Sequence, residues 1–156
     1  MPMKMNRFLI SNLLVAVLLL GAGCDSEVLQ DDDLDSGERV RFVLDGLDAD
    51  SEISDDYELR SAAWNGKHLD ISVAYSGGCK EHAFTLYSSA VNIAIYPPQI
   101  GVVLAHEGNG DSCEAYISET ISIDVSSLVN RMNGTFWVYL RAAGADSGDT
   151  LALEYK

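Results

Sequence analysis

Alternation of apolar and polar residues is the clearest pattern in this chain. From Lys67 to Ser76, Leu69, Ile71, Val73 and Tyr75 fall on one side, with His68, Asp70, Ser72 and Ala74 on the other. A period of two is that of a half-buried β-strand. A candidate strand from Tyr57 to Trp64 precedes it, and the intervening Asn65-Gly66 suits a tight type I′ hairpin turn. Arg39 to Leu44 alternates at its start and ends at the turn pair Asp45-Gly46, and residues 47–56 read as polar loop. His82 to Ser88 sets His82, Phe84 and Leu86 on one face. Val91, Ile93 and Ile95 predict a further short strand, ended by Pro97-Pro98 because proline cannot donate to a ladder. Gly101 to His106 places Val102, Leu104 and His106 on one side. Ala115 to Val125 repeats its apolar residues at odd positions, and Glu119 interrupts the row. Ser126 to Met132 predicts one helical turn, with Ser126 or Ser127 as its cap. Thr135 to Arg141 and the stretch Leu151, Leu153, Tyr155 predict the closing strands.

About eight strands at short, regular spacing, with turn residues between them, predict an all-β fold: a single β-sandwich over residues 39–156. The strand count resembles that of the immunoglobulin-like class.

Ahead of the strands the pattern changes. Met1 to Arg7 is short and basic, Phe8 to Leu20 is largely apolar, and Gly21-Ala22-Gly23 leads into Cys24. A basic start, an apolar core and small residues before a break make a secretory signal peptide, here residues 1–23. The apolar run is too short to span a bilayer as a permanent helix. The stretch resembles the lipobox of bacterial lipoproteins, with Gly21 where a leucine is usual and Leu20 one place earlier. That resemblance implies acylation of Cys24 (palmitate-type chains) and a mature chain held by lipid to the cell envelope, periplasmic or surface-exposed. Residues 24–38 carry seven acids, few apolar residues and no period, so they read as an extended acidic linker.

The net charge of −14 becomes about −16 once the signal segment leaves with Lys4 and Arg7. Nucleic acid and anionic lipid would be repelled. A basic protein, a divalent cation or simple solvation fits better, and a glycan ligand remains open.

Cys79 and Cys113 form an even pair once Cys24 is set aside. They sit in two similar segments, Gly77-Gly78-Cys79-Lys80-Glu81-His82 and His106-Glu107-Gly108-Asn109-Gly110-Asp111-Ser112-Cys113. The first is similar to segments of small uncharacterised bacterial envelope proteins. Three readings follow. Export favours a disulfide between Cys79 and Cys113, with His82 and His106 bonded to backbone or to nearby acids at the rim of the core. Alternatively, Cys79, His82, His106 and Cys113 are the donor types of a tetrahedral zinc site, and Cys-x-x-His is a usable spacing. Lastly, Glu107, Asn109, Asp111 and Glu114 offer oxygen ligands for calcium on a glycine-rich turn.

The sequence holds no Gly-x-Ser-x-Gly elbow, phosphate loop or His-Glu-x-x-His motif. A Cys79–His82 hydrolase pair is the remaining catalytic reading. Trp64, Trp137, Tyr75 and Tyr139 are read as core or cross-strand packing, a surface row being the alternative that would bind carbohydrate or peptide. The expectation is a lipid-anchored, non-enzymatic binding or structural module without a cofactor, with zinc binding as its alternative.

Overall fold

A computed structural model describes residues 38–48, 50–90, 94–145 and 150–156. The signal segment, Cys24 and the linker up to residue 37 lie outside the described residues, as do Val91 and Ile93.

Among the described residues, eight strands form two sheets: β1 (Val40–Val43), β2 (Glu58–Asn65), β3 (His68–Gly77), β4 (Ala83–Ser88), β5 (Gln99–Glu107), β6 (Ala115–Asp124), β7 (Phe136–Ala142) and β8 (Leu151–Tyr155). One sheet has five strands in the order β1-β4-β5-β7-β8, the other three in the order β2-β3-β6. The chain is therefore a β-sandwich of eight strands. The five-stranded sheet is mixed, because β1 runs parallel to β4 and β5 parallel to β7.

The alternation does what a period of two requires. Leu69, Ile71, Val73 and Tyr75 of β3, beside Ile121 and Ile123 of β6, face Phe84 and Leu86, Val102 and Leu104, and Phe136, Val138 and Leu140 in one continuous core. On β2 the inward residues change parity, from Leu59 to Ala62 and Trp64. A β-bulge at Arg60, where the register shifts between Leu59 and Ser61, makes this possible. Trp64 then packs edge-on against Tyr155 and Phe136, with ring centroids at 4.8 and 5.8 Å.

Three local expectations change. The β2–β3 turn is centred on Gly66-Lys67, since Asn65 pairs with His68. Gly66 takes φ 61° while Lys67 stays at negative φ, which is the requirement of a type II′ turn rather than type I′. The one α-helix among the described residues, α1 (Ser126–Met132), has Val125 as its N-cap residue and no serine cap. Asp124 serves instead, its Oδ1 accepting from the Ser126 N–H at 2.8 Å. Ile95 lies in a bend and is 45% exposed, so the described part of the predicted strand before Pro97-Pro98 is not strand.

The polar loop after β1 covers part of the outer face of the five-stranded sheet. Its 3-10 turn Asp50–Glu52 packs on β5, and the Glu52 carboxylate accepts both Arg141 Nη donors. Tyr57 Oη donates to the Leu104 carbonyl at 2.5 Å, closing the loop onto β5, the middle strand of the five-stranded sheet. Among the described residues, no helix is long and apolar enough to cross a membrane.

Candidate functional site

The starts of β1, β2, β4 and β6 and the ends of β3 and β5 meet at one end of the sandwich. The two cysteine segments are the loops that join β3 to β4 and β5 to β6 there, and Cys79 and Cys113 are disulfide-bonded across them with Cα atoms 5.9 Å apart.

Asp111 organises these loops. Its Oδ2 accepts from the backbone N–H groups of Cys79 (2.8 Å) and Lys80 (2.9 Å), and its Oδ1 from that of Cys113 (2.9 Å). The side chain is 1% exposed. Three backbone donors on one carboxylate hold its pKa well below the usual range; the Cys113 N–H contributes most, burial opposes it, and Cys79, Lys80 and His82 add to the lowering. The turn that presents Asp111 closes with its N–H donating to the Gly108 carbonyl. Asn109 and Gly110 at its centre both take positive φ, 55° and 61°, the pairing that Asn-Gly accepts readily. Lys80 Nζ donates to the Asn109 and Gly110 carbonyls, and Asn109 Nδ2 to the Glu81 carbonyl.

Behind Asp111 lies a buried histidine pair. His82 is 3% exposed and His106 4%. His82 Nδ1 stands 2.8 Å from His106 Nε2, and His82 Nε2 stands 3.3 Å from Asp111 Oδ2. The tautomers follow from the acid. An ionised carboxylate only accepts, so His82 carries its proton on Nε2 and offers its Nδ1 lone pair. His106 must then donate from Nε2, which leaves its Nδ1 a lone pair, and that buried atom has no hydrogen-bond partner. Burial lowers the pKa of His106; neighbouring His82 adds to this, while the backbone of Asp55 and Asp56 and the Asp55 carboxylate push the other way.

Rings and one acid enclose the pair. Tyr75 stacks on His82 with centroids 4.4 Å apart, and Phe84 stacks on His106 at 4.7 Å. Tyr75 Oη donates to Glu119 at 2.7 Å, and Arg39 Nη2 donates to the same carboxylate oxygen at 2.7 Å. This explains why Glu119 interrupts an apolar row: it faces inward, and its Oε1 accepts from both Tyr75 and Arg39. Burial and the Glu119 contact push the Tyr75 hydroxyl up to about 12. Gly77 is required by close approach, because a Cβ there would lie 2.5 Å from His82 Nε2.

A cavity of about 200 Å³ opens beside the pair, lined by Asp55, Asp56, Ser76, both histidines and Asp111. A larger cleft of about 320 Å³ lies between the loop after β1 and the outer sheet face, with Arg41, Ile53, Thr85 and Glu107 in its lining.

The predicted site residues are thus gathered at one end. Cys79 and Cys113 form the expected disulfide, and His82 bonds to a nearby acid, Asp111, and also to His106. The four-residue set Cys79, His82, His106, Cys113 does not come together around one point: both sulfurs are in the disulfide, and His106 turns its Nε2 to His82. Among the described residues, the donors within 4.8 Å of one another are Cys79, Asp111 and Cys113. The calcium reading loses Asp111, already occupied by backbone N–H groups, and Asn109, whose amide donates to Glu81. A Cys79–His82 hydrolase needs a free thiol, and the Cys79 sulfur is bonded. Trp64 and Tyr75 pack inward as expected, whereas Trp137 and Tyr139 sit half-buried on the opposite face of β7 from Phe136, Val138 and Leu140. From the sequence Asp111 is a turn acid and a candidate calcium ligand; its part as an acceptor for two loops has no signal beyond its spacing two before Cys113.

No protein-family model matches the chain, and no curated protein matches it. Among solved structures it is similar to a NigD-like immunity protein from Bacteroides caccae, with TM-score 0.51 and 14% identity over 74% of this chain. It is also similar to a protein of Parabacteroides distasonis described as toxin-related, with TM-score 0.51 and 15% identity over 74% of this chain. The chain spans 58% of the length of each. At these identities the likeness is one of fold.

Proposed function

We propose that this chain is a lipid-anchored envelope protein whose disulfide-stapled β-sandwich is a non-enzymatic binding module for a positively charged partner, with the pinned loops as its contact surface. The carrying observation is the rim of those loops. Asp55, Asp56, Glu81, Glu107 and Glu114 are exposed there. The nearby cations are engaged: Lys80 by loop carbonyls, Arg39 by Glu119. A fixed acidic surface on a chain of charge −14 attracts cationic surfaces and speeds their encounter. The disulfide and the Asp111 contacts hold the loops in one arrangement, so little ordering is left to oppose binding. A structure sharing the fold is described as an immunity protein, which supports a binding role. The anchor rests on the signal segment and Cys24.

Two measurements test the reading. Cys24→Ser should abolish incorporation of an alkyne-tagged fatty acid in cells, and persistent label would overturn the anchor. A photocrosslinker at Glu107 in the intact envelope should give a discrete adduct that disappears with Glu81→Lys and Glu114→Lys. An adduct insensitive to charge reversal, or none, would overturn the acidic contact surface.

A further inference from the structure

The cavity of about 200 Å³ beside the histidine pair is rich in acceptors. Asp55, Asp56, Ser76, His106 and Asp111 are in its lining, which contains no lysine or arginine. His106 is 4% exposed, and its Nδ1 has no hydrogen-bond partner. The Nε2 of this ring is turned to His82, so Nδ1 points the other way, toward Asp55 and Asp56, whose backbone lies beside it. With the proton on Nε2, Nδ1 presents a lone pair. A buried acceptor without a donor is costly. Its place in this lining points to a donor brought from outside.

The wall of the cavity is built for such a donor. The Asp55 N–H donates to the His106 carbonyl at 2.9 Å, and Asp55 Oδ2 accepts from the Gly108 N–H at 2.7 Å. A carboxylate can accept about four hydrogen bonds, so one backbone N–H leaves Asp55 most of its capacity. Asp111 differs, because both its oxygens already accept backbone N–H groups; it contributes charge to the wall and no contact. Gly108 keeps the space open. A Cβ there would lie 3.2 Å from Asp55 Oδ2 and 3.4 Å from His82 Cε1. Lys80 does not supply the missing donor, since its Nζ donates to the Asn109 and Gly110 carbonyls.

We propose that this cavity receives the cationic head of one basic side chain of the partner, a lysine ammonium or an arginine guanidinium. The inference rests on the reading of the acidic loops as the contact surface, and it adds to that surface a single anchoring residue. Both head groups carry several N–H donors and no acceptor, which matches a wall of acceptors. The head donates to His106 Nδ1 and to the Asp55 and Asp56 carboxylates, and its charge faces three acids in a site partly shielded from water, where such contacts are stronger. A quaternary ammonium has the charge without the N–H, and would leave His106 Nδ1 unmatched. A long side chain seated in a preformed cavity is the usual form of a dominant contact in an interface.

The full-length chain in an uncharged detergent at neutral pH, with nitrogen-15 in its histidines, is the sample for the test. The probes are n-butylammonium, n-propylguanidinium and tetramethylammonium. At least one of the first two should move the His106 Nδ1 signal saturably toward the protonated range, and the tighter binder identifies the head group. Tetramethylammonium should not. Gly108→Ala fills the space without changing charge, and Asp56→Asn removes one exposed acid; each should weaken the binding about 10-fold or more. With a photocrosslinker at Glu81 in the intact envelope, Gly108→Ala should also diminish the adduct. No saturable shift with either N–H cation, an equal shift with tetramethylammonium, or unchanged binding in Asp56→Asn or in a folded Gly108→Ala would overturn the pocket. An adduct retained in full in Gly108→Ala would overturn the anchoring side chain and leave the acidic surface standing. An adduct missing from the parent chain would overturn that surface, and with it the partner as the source of the side chain.

Discussion

His82 and His106, 24 residues apart, face each other across one hydrogen bond of 2.8 Å inside the sandwich. Their meeting is set by strand register. Phe84 pairs with His106 in the antiparallel β4–β5 ladder, which makes His82 the diagonal neighbour of His106 on the same face. Each later property of the site depends on this contact and on the acid that orders it.

The first consequence is acid sensitivity. Burial holds the pKa of His106 below its unfolded value, which is about 6.5. A lowered folded pKa means that the unfolded chain binds the proton more readily. Stability is therefore complete above pH ~6.5 and is lost as pH falls through the folded pKa, by at most about 1.4 kcal/mol per pH unit for one proton. Urea unfolding of the disulfide-bonded chain between pH 7.5 and 5 should show this slope, and His106→Gln should flatten it.

Asp111 governs a second, more acidic window. Its folded pKa is lowered, so its contribution is present above the unfolded value of about 3.9 and is lost as pH falls below it. Asp111→Asn should lower the melting temperature at neutral pH and remove part of the acid loss below pH ~4. An unchanged acid limb in this variant would count against the three backbone contacts.

The staple is worth a measurable amount. Cys79→Ser or Cys113→Ser opens a loop of 34 residues in separation and should cost roughly 2–5 kcal/mol. The double variant should match the singles, since the bond is lost once in each. Denaturant midpoints are the readout, and two unaltered single variants would contradict a stabilising disulfide.

Tyr75, Glu119 and Arg39 should behave as a coupled unit. Tyr75→Phe removes one hydrogen bond and should cost about 0.5–1.5 kcal/mol. Glu119→Ala removes both bonds and leaves the buried Tyr75 hydroxyl without its acceptor, so it should cost more, about 1–3 kcal/mol. In a double-mutant cycle, Tyr75→Phe should cost much less once Glu119 is gone; additivity would show the two to be independent.

Gly77→Ala probes the close packing against His82. The added Cβ would lie 2.5 Å from Nε2 and 2.6 Å from Cε1 of a ring already stacked on Tyr75. Overpacking of this kind should cost about 1–3 kcal/mol. The His82 ring signals should shift in the same spectrum, whereas a mutation tolerated without any shift would show that the ring has room to move.

Much of the fold was legible in the residues. Period-two apolar rows gave the strands because each strand has one face in the core, as on β3 from Leu69 to Tyr75. The parallel pairings of β1 with β4 and β5 with β7 were not legible, because alternation says which side a residue faces and nothing about its neighbour's direction. The bulge at Arg60 was hidden for the same reason: parity changes across it, so the row looks irregular. In the site, the cysteine pair was readable from count and compartment. Asp111 was not, since a turn acid and a carboxylate that gathers three N–H groups from two loops have the same local sequence. Glu119 was visible only as a break, and its partners Tyr75 and Arg39 lie 44 and 80 residues away.

The parallel register of β1 and β4 has a practical consequence for labelling. Val40 lies beside Phe84, so the chain enters the sandwich at the disulfide end, whereas Tyr155, paired with Phe136, brings the other terminus out at the far end. A fluorophore, affinity tag or surface linkage placed ahead of Glu38 is tethered beside the acidic loops and crowds whatever docks there. One placed after Lys156 is held away from them by the length of a strand, and that is the end from which the molecule should be immobilised.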